Sequence, residues 1–103
     1  MNILAVVEVT IVPLGTKDTS VSKYVAKCHR VLEKQSELEY MLTPMGTIIE
    51  GDLDEILSLI RDMHEVPFHE GAKRVSTQIK IDDRRDKIGT MKGKLQSVES
   101  KLK

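Results

Sequence analysis

Residues 3–12, Ile-Leu-Ala-Val-Val-Glu-Val-Thr-Ile-Val, split into two alternating sets. The odd positions Ile3, Ala5, Val7, Val9 and Ile11 are wholly apolar, whereas the even positions Leu4, Val6, Glu8, Thr10 and Val12 are mixed. A period of two in β-branched side chains predicts a strand, and Pro13-Leu14-Gly15 ends it in a turn. Its odd face meets a core, while its even face is neither properly wet nor properly dry. The period then lengthens. Val21, Val25, Cys28, Leu32 and Gln35 recur at spacings of three and four, with Tyr24 and Val31 widening the stripe. This predicts a helix running to about Gln35, with Thr19 or Ser20 as its N-cap. Cys28, on the stripe, reads as a small buried hydrophobe.

A hairpin follows, with strands at Leu38–Thr43 and Thr47–Gly51 around Pro44-Met45-Gly46. Pro44 presets φ for the first turn position, and Gly46 suits a left-handed residue closing a three-residue loop. That loop would pair Thr43 with Thr47, placing Tyr40, Leu42, Ile48 and Glu50 on one face and Met41, Thr43, Thr47 and Ile49 on the other. Asp52, with Glu55 three residues on, resembles a capping box for a second helix. Leu53, Ile56, Leu57, Ile60 and Met63 form its apolar face, and Pro67 is expected to stop it. A fourth strand over Arg74–Asp82 points Val75, Thr77, Ile79 and Ile81 one way. The order β-α-β-β-α-β is the ferredoxin-like arrangement, an α+β fold with one antiparallel sheet and both helices on the same face.

One helix is left over. Over about 86–103, Ile88, Met91, Leu95, Val98 and Leu102 are spaced 3, 4, 3, 4, a heptad-like seam. Gly89 and Gly93 weaken it by roughly 1 kcal/mol each, so it needs a partner surface, its own sheet or another subunit.

Composition narrows the class. With 103 residues, 40% of them hydrophobic, the chain makes a single domain, 1–103, with a modest core. No apolar run suits a membrane span, the start lacks a signal-peptide pattern, and one cysteine gives no internal disulfide, so a soluble cytoplasmic protein is expected. Sixteen basic and sixteen acidic residues with three aromatics argue against nucleic acid as a partner. The neutrality is uneven: residues 1–69 carry six Lys/Arg against eleven Asp/Glu, and residues 70–103 carry ten against five. Solvated surfaces of opposite sign or complementary association between subunits both account for this.

Catalytic signatures are absent. There is no P-loop, no G-x-S-x-G and no Cys-x-x-Cys. His64 and His69 flank Pro67 and cannot share a helical face as zinc ligands, and His29 lies on another helix. Cys28 and His29 are adjacent in a helix and point about 100° apart, which excludes a nucleophile–base pair. The even face of the first strand carries the chemistry instead. Leu4, Val6 and Val12 mark an interface, with Glu8 and Thr10 in its middle. Burying Glu8 between sheets requires water, a basic side chain, or a cationic ligand in a pocket. In the expected register Tyr40 lies beside Glu50, either an ordinary cross-strand pair or a seat for a flat cationic heterocycle.

Four stretches resemble one family: Val12-Pro13-Leu14-Gly15-Thr16; Ser22-x-Tyr24-Val25-Ala26; Leu42-Thr43-Pro44-Met45-Gly46-Thr47-x-x-Glu50-Gly51; and Arg74-Val75-x-Thr77-x-Ile79-x-Ile81-Asp82-x-Arg84. They resemble the small thiamine-binding proteins long catalogued as uncharacterised and related to the YkoF-like superfamily. The resemblance implies a ferredoxin-like fold, homo-oligomers (dimers or tetramers) built through sheets and C-terminal helices, no enzymatic activity, and thiamine or a related aminopyrimidine as ligand, with no cofactor required. Glu50, Thr43, Thr47, Met45, Gly46 and Tyr40, or Glu8 and Thr10, would supply acceptors and walls for such a ligand. Glu50 is the favoured carboxylate, with Glu8 next. The alternative function is a structural or regulatory assembly module with no small-molecule ligand.

Overall fold

The structure, a computed structural model, describes residues 4–15, 22–35, 37–86 and 91–102, and for residue 22 and residues 91–94 the backbone alone. The expected cap at Thr19 or Ser20, and Ile3, Val21, Ile88 and Gly89, lie outside these residues. The elements are β1 (Ala5–Leu14), α1 (Ser22–Glu33), β2 (Glu39–Thr43), β3 (Gly46–Gly51), α2 (Leu53–His69), β4 (Arg74–Asp83) and α3 (Met91–Leu102). The four strands form one antiparallel sheet in the order β2-β3-β1-β4, which is the ferredoxin-like topology.

Period two along β1 does what it predicts. Ala5, Val7 and Val9 are buried, and Val7 and Val9 meet Leu32 and Cys28 of α1, Ile56, Ile60 and Met63 of α2, and Ile49 of β3 in one core. Glu8, on the opposite face, is exposed beside Ile48 and Lys80. Asp52 caps α2, its Oδ2 accepting from the Glu55 N–H at 3.1 Å.

Three local expectations are corrected. Helix α1 ends at Glu33, and Gln35 is a clamp rather than a core position. Its Nε2 donates to the carbonyls of Leu32 and Leu38, and its Oε1 accepts from the N–H groups of Glu37 and Leu38. Helix α2 runs through Pro67 to His69. A proline near a helix end forfeits only the bond to the carbonyl four residues back, here that of Met63. The Cys28 thiol lies 3.5 Å from that oxygen and donates to it, so the buried cysteine replaces the hydrogen bond that Pro67 cannot make.

The third correction is the hairpin register. Thr43 pairs with Gly46, Leu42 with Thr47, Tyr40 with Ile49 and Glu39 with Glu50, one residue from the expected pairing. The Thr43 hydroxyl tightens the turn to Pro44-Met45 by donating to the Gly46 carbonyl at 2.8 Å and accepting from the Met45 N–H at 3.3 Å. Neither Met45 nor Gly46 has positive φ, so the left-handed role expected of Gly46 is not used. Glycine is required there because β1 comes close: a Cβ would sit 2.9 Å from the Val9 carbonyl oxygen and from Thr10 Oγ1. A one-residue slip exchanges faces. Tyr40, Leu42, Thr47 and Ile49 therefore face the helices, and Glu50 shares the open face with Met41, Thr43 and Ile48.

Among the described residues, no helix is long and apolar enough to cross a membrane.

Candidate functional site

At one end of the sheet β3 gives way to the hairpin turn while β1 runs on. Their pairing ends at Val9↔Thr47, while β1 continues beside β4 to Leu14. The turn residue Met45 stays tethered to β1 by one bond, Thr10 Oγ1 donating to its carbonyl at 3.2 Å. Between this corner and the two helices lies a cavity of about 190 Å³. Val9, Ile11, Val25, Cys28, Leu42 and Met63 make its apolar wall, and Thr10, His29, Thr43 and Thr47 contribute the polar groups. Thr47 is buried, whereas Val25, Leu42 and Met45 are exposed and form the open rim.

Five of the eight residues expected at a site come together here: Thr10, Thr43, Met45, Gly46 and Thr47 all line the cavity. Glu8, Tyr40 and Glu50 do not. Tyr40 lies on the helix side, its ring 5.4 Å from that of His29 at 79°. Glu50 stands on the open face opposite Glu39 and Val6, so the expected Tyr40–Glu50 pair is not formed. Among the described residues no carboxylate lines the cavity.

Val9, Cys28, His29 and Met63 join the wall without having been singled out as site residues. A signal for His29 was present, since it follows Val25 by four and precedes Leu32 by three, placing it on the edge of the helical stripe. Its Nε2 lies 3.3 Å from Glu33 Oε1, one helical turn on, while its Nδ1 is buried and has no hydrogen-bond partner among the described residues. Burial also raises the Cys28 pKa above the usual thiol value, which keeps it protonated as the donor to Met63. His64 bonds Thr77 Oγ1 at 2.6 Å and ties α2 to β4. Among the described residues no three His, Cys, Asp or Glu are grouped to hold a metal ion.

The comparisons with known proteins agree with this architecture. The chain is 46% identical over 102 residues to the UPF0045 protein YqgV of Bacillus subtilis, a match spanning 96% of this chain and 98% of the relative. The crystal structure of the hypothetical protein MJ1052 of Methanocaldococcus jannaschii superposes with a TM-score of 0.83 at 43% identity, over 93% of this chain and 96% of that one. A domain of unknown function from Bacillus cereus gives a TM-score of 0.81 at 28% identity, over 93% and 90% of the two chains. The family model described as "Thiamine-binding protein", a description of binding rather than catalysis, matches residues 7–99. The chain belongs to that family.

Proposed function

We propose that this protein binds thiamine or a related aminopyrimidine, with the ligand's ring in the cavity between α1 and the hairpin corner, and that it acts as a homo-oligomeric carrier, buffer or sensor rather than an enzyme. The observation that carries this reading is the cavity itself, apolar with a few hydroxyls, in a chain whose family is described by thiamine binding. An engineered cavity of about 150 Å³ holds a benzene ring, so 190 Å³ accommodates one substituted six-membered ring. Two linked rings do not fit, and a thiazolium would remain at the rim beside Met45, Leu42 and Val25. No cofactor is needed for such a role, and the free Cys28 thiol suits a reducing cytoplasm.

A cation at the rim is stabilised by a carboxylate, and among the described residues none lines the cavity. Glu8 lies two strand residues from Thr10, about 7 Å, while Glu50 lies four from Gly46, about 13 Å. Distance therefore favours Glu8, the reverse of the preference the sequence suggests. Calorimetric titration with thiamine tests the whole reading. Wild type should bind, Val25→Trp should block the rim and abolish binding without unfolding, and Glu8→Gln, which removes a charge about 7 Å or more away rather than a hydrogen bond, should weaken it by about 0.5 kcal/mol. A wild type that does not bind removes the ligand assignment.

The oligomer has its own support. Ile79 and Ile81 face the helix side of β4 yet are 44% and 45% exposed, and Leu95, Val98 and Leu102 of α3 are more exposed still. A second copy would cover them, and the acidic first two-thirds of one chain complements the basic last third of another. Sedimentation at micromolar concentration should give at least a dimer. These same faces favour the second reading, an assembly module without a ligand, if the oligomer forms and thiamine does not bind.

A further inference from the structure

We propose that two copies of this chain exchange their last helices, the Leu95–Val98–Leu102 seam of α3 from each copy lying in a groove between α2 and β4 of the other. This rests on the oligomer reading above and adds which surfaces meet. The groove follows from the register of β4 and the turn of α2. Ile79 and Ile81 pair with Val9 and Val7 and so stand on the helix side of the sheet, yet both are exposed. His64 bonds Thr77, which sets the side of α2 that faces β4. Leu57 lies two turns before His64 and Phe68 one turn after it, near that same side, and both are exposed. The Phe68 ring meets His64 edge-on, with centroids 5.5 Å apart. β3 and β4 both run antiparallel to β1, so α2, which crosses from one to the other, runs against β4. Leu57 therefore stands toward Ile79 and Ile81.

α3 fits this groove in length, polarity and charge. Its 12 residues span about 18 Å, and Leu57 to Phe68 spans about 16 Å. Leu95, Val98 and Leu102 bring the apolar seam that four exposed apolar side chains of the groove call for. α2 carries Asp54, Glu55, Asp62 and Glu65 against Arg61, whereas α3 carries Lys92, Lys94 and Lys101 against Glu99. Asp54 and Glu65 are three turns apart, on the flank beyond Leu57 and Phe68. Lys94 and Lys101 each precede a seam leucine by one position and so share one flank of α3. Setting the lysine flank against the acidic one fixes which side of α3 faces α2. A short helix interrupted by Gly93 is weak alone and needs this surface. Within one chain the seam, Leu57, Ile79 and Ile81 are exposed together, so α3 does not fill its own groove. Reciprocal exchange fills both grooves of a pair and closes it by two-fold symmetry.

Disulfide trapping in mixed subunits tests the exchange. Ile79→Cys is made in one chain and Val98→Cys in another; both positions are exposed, and the native Cys28 is buried. Unfolded together, refolded as a mixture and oxidised, the two variants should give a covalent dimer with one chain of each kind, identified by mass. Each variant oxidised alone should stay uncross-linked. A covalent homodimer of Val98→Cys would put α3 against α3, and one of Ile79→Cys would put β4 against β4. A chain carrying both substitutions that oxidises to a closed monomer would put α3 in its own groove. Any of these, or a mixture that gives no mixed dimer, overturns the exchange while an oligomer in sedimentation keeps the wider reading. A wild type that sediments as a monomer overturns both. The charge match gives a second measurement. Asp54→Lys with Glu65→Lys should raise the dimer dissociation constant about tenfold or more, and adding Lys94→Glu with Lys101→Glu to the same chain should recover most of the loss. Reversal without loss, or loss without recovery, would overturn the docking of α3 on α2.

Discussion

The chain up to Met63 and the chain beyond Thr77 use similar apolar residues to opposite ends. In the first region Val7, Leu32, Ile49, Ile56 and Met63 are buried against one another by elements of the same chain. In the second, Ile79, Ile81, Leu95, Val98 and Leu102 are also placed at regular strand or helix spacings, and all are exposed. The radius of gyration is 15.1 Å, against about 13 Å for a compact domain of this length, and the exposed α3 accounts for the direction of that difference. Periodicity therefore reports that a face is to be buried without reporting which chain buries it. Here the first region meets its partners within the fold, and the second is left to meet them outside it.

The largest test of that contrast is a pair of truncations. Leu32→Ala removes a fully buried side chain at the centre of the core and should cost about 2–5 kcal/mol in urea unfolding. Leu95→Ala, on the exposed α3, should leave the unfolding free energy of a dissociated chain within about 0.5 kcal/mol of wild type. Comparable losses in both would mean that α3 packs on its own sheet. Gly51→Ala comes next. Its φ of +152° lies where side chains are disfavoured, and a Cβ there would collide with Leu38 Cδ2. Overpacking of this kind costs about 1–3 kcal/mol, to be read in the same unfolding experiment, and an unchanged midpoint would show that Leu38 swings aside freely.

Leu95→Asp with Val98→Asp should act on assembly rather than on the fold. An apolar seam that gains two carboxylates cannot close on a second copy without burying unpaired charge. Sedimentation should show a lower oligomeric order, with the far-ultraviolet spectrum and thermal midpoint of the dissociated chain retained. Retention of the wild-type oligomer would move the interface off this face of α3 and leave the exposed Ile79 and Ile81 of β4 as the surface to alter.

What was legible in the sequence was local. The alternation in β1 and the Asp52 cap depend on residues a few positions apart and are as read, and the stripe of α2 holds at Ile56, Ile60 and Met63, while Leu57 is exposed and Leu59 is buried instead. The misreadings depend on distant residues. Gly46 serves an approach of β1 rather than a left-handed turn, and nothing between positions 43 and 47 announces Val9. Pro67 fails to stop α2, and the thiol that takes over its missing hydrogen bond lies on α1. The cavity divides the same way. Thr43, Met45, Gly46 and Thr47 could be found together because one hairpin carries them, whereas Cys28, His29 and Met63 join them only once both helices lie over the sheet.

The smallest expected effect lies at the edge of the first region, where α1 meets the end of α2. Lys27 of α1 and Glu70, just past α2, form an ion pair at 2.6 Å, with both side chains about a third exposed. The hydrogen bond from Lys27 is the main influence that lowers the Glu70 pKa below its ordinary 4.5, opposed by desolvation, the next largest influence, and helped by the charges of Lys27, Lys23 and His69. A carboxylate whose pKa is lower in the folded chain contributes stability that is complete above the unfolded value and is lost as the pH falls through the folded one. The contribution should therefore be present at neutral pH and fade below about pH 4.5. Water and salt screen an exposed pair, so the slope should be shallow and shallower still in high salt. Lys27→Gln should flatten the acid limb of a stability–pH profile slightly and leave ligand binding unchanged, since neither residue lines the cavity. An acid limb identical to wild type would mean that solvent has already cancelled the pair, and the tie between α1 and the end of α2 would then rest on Cys28 and the packing around Pro67.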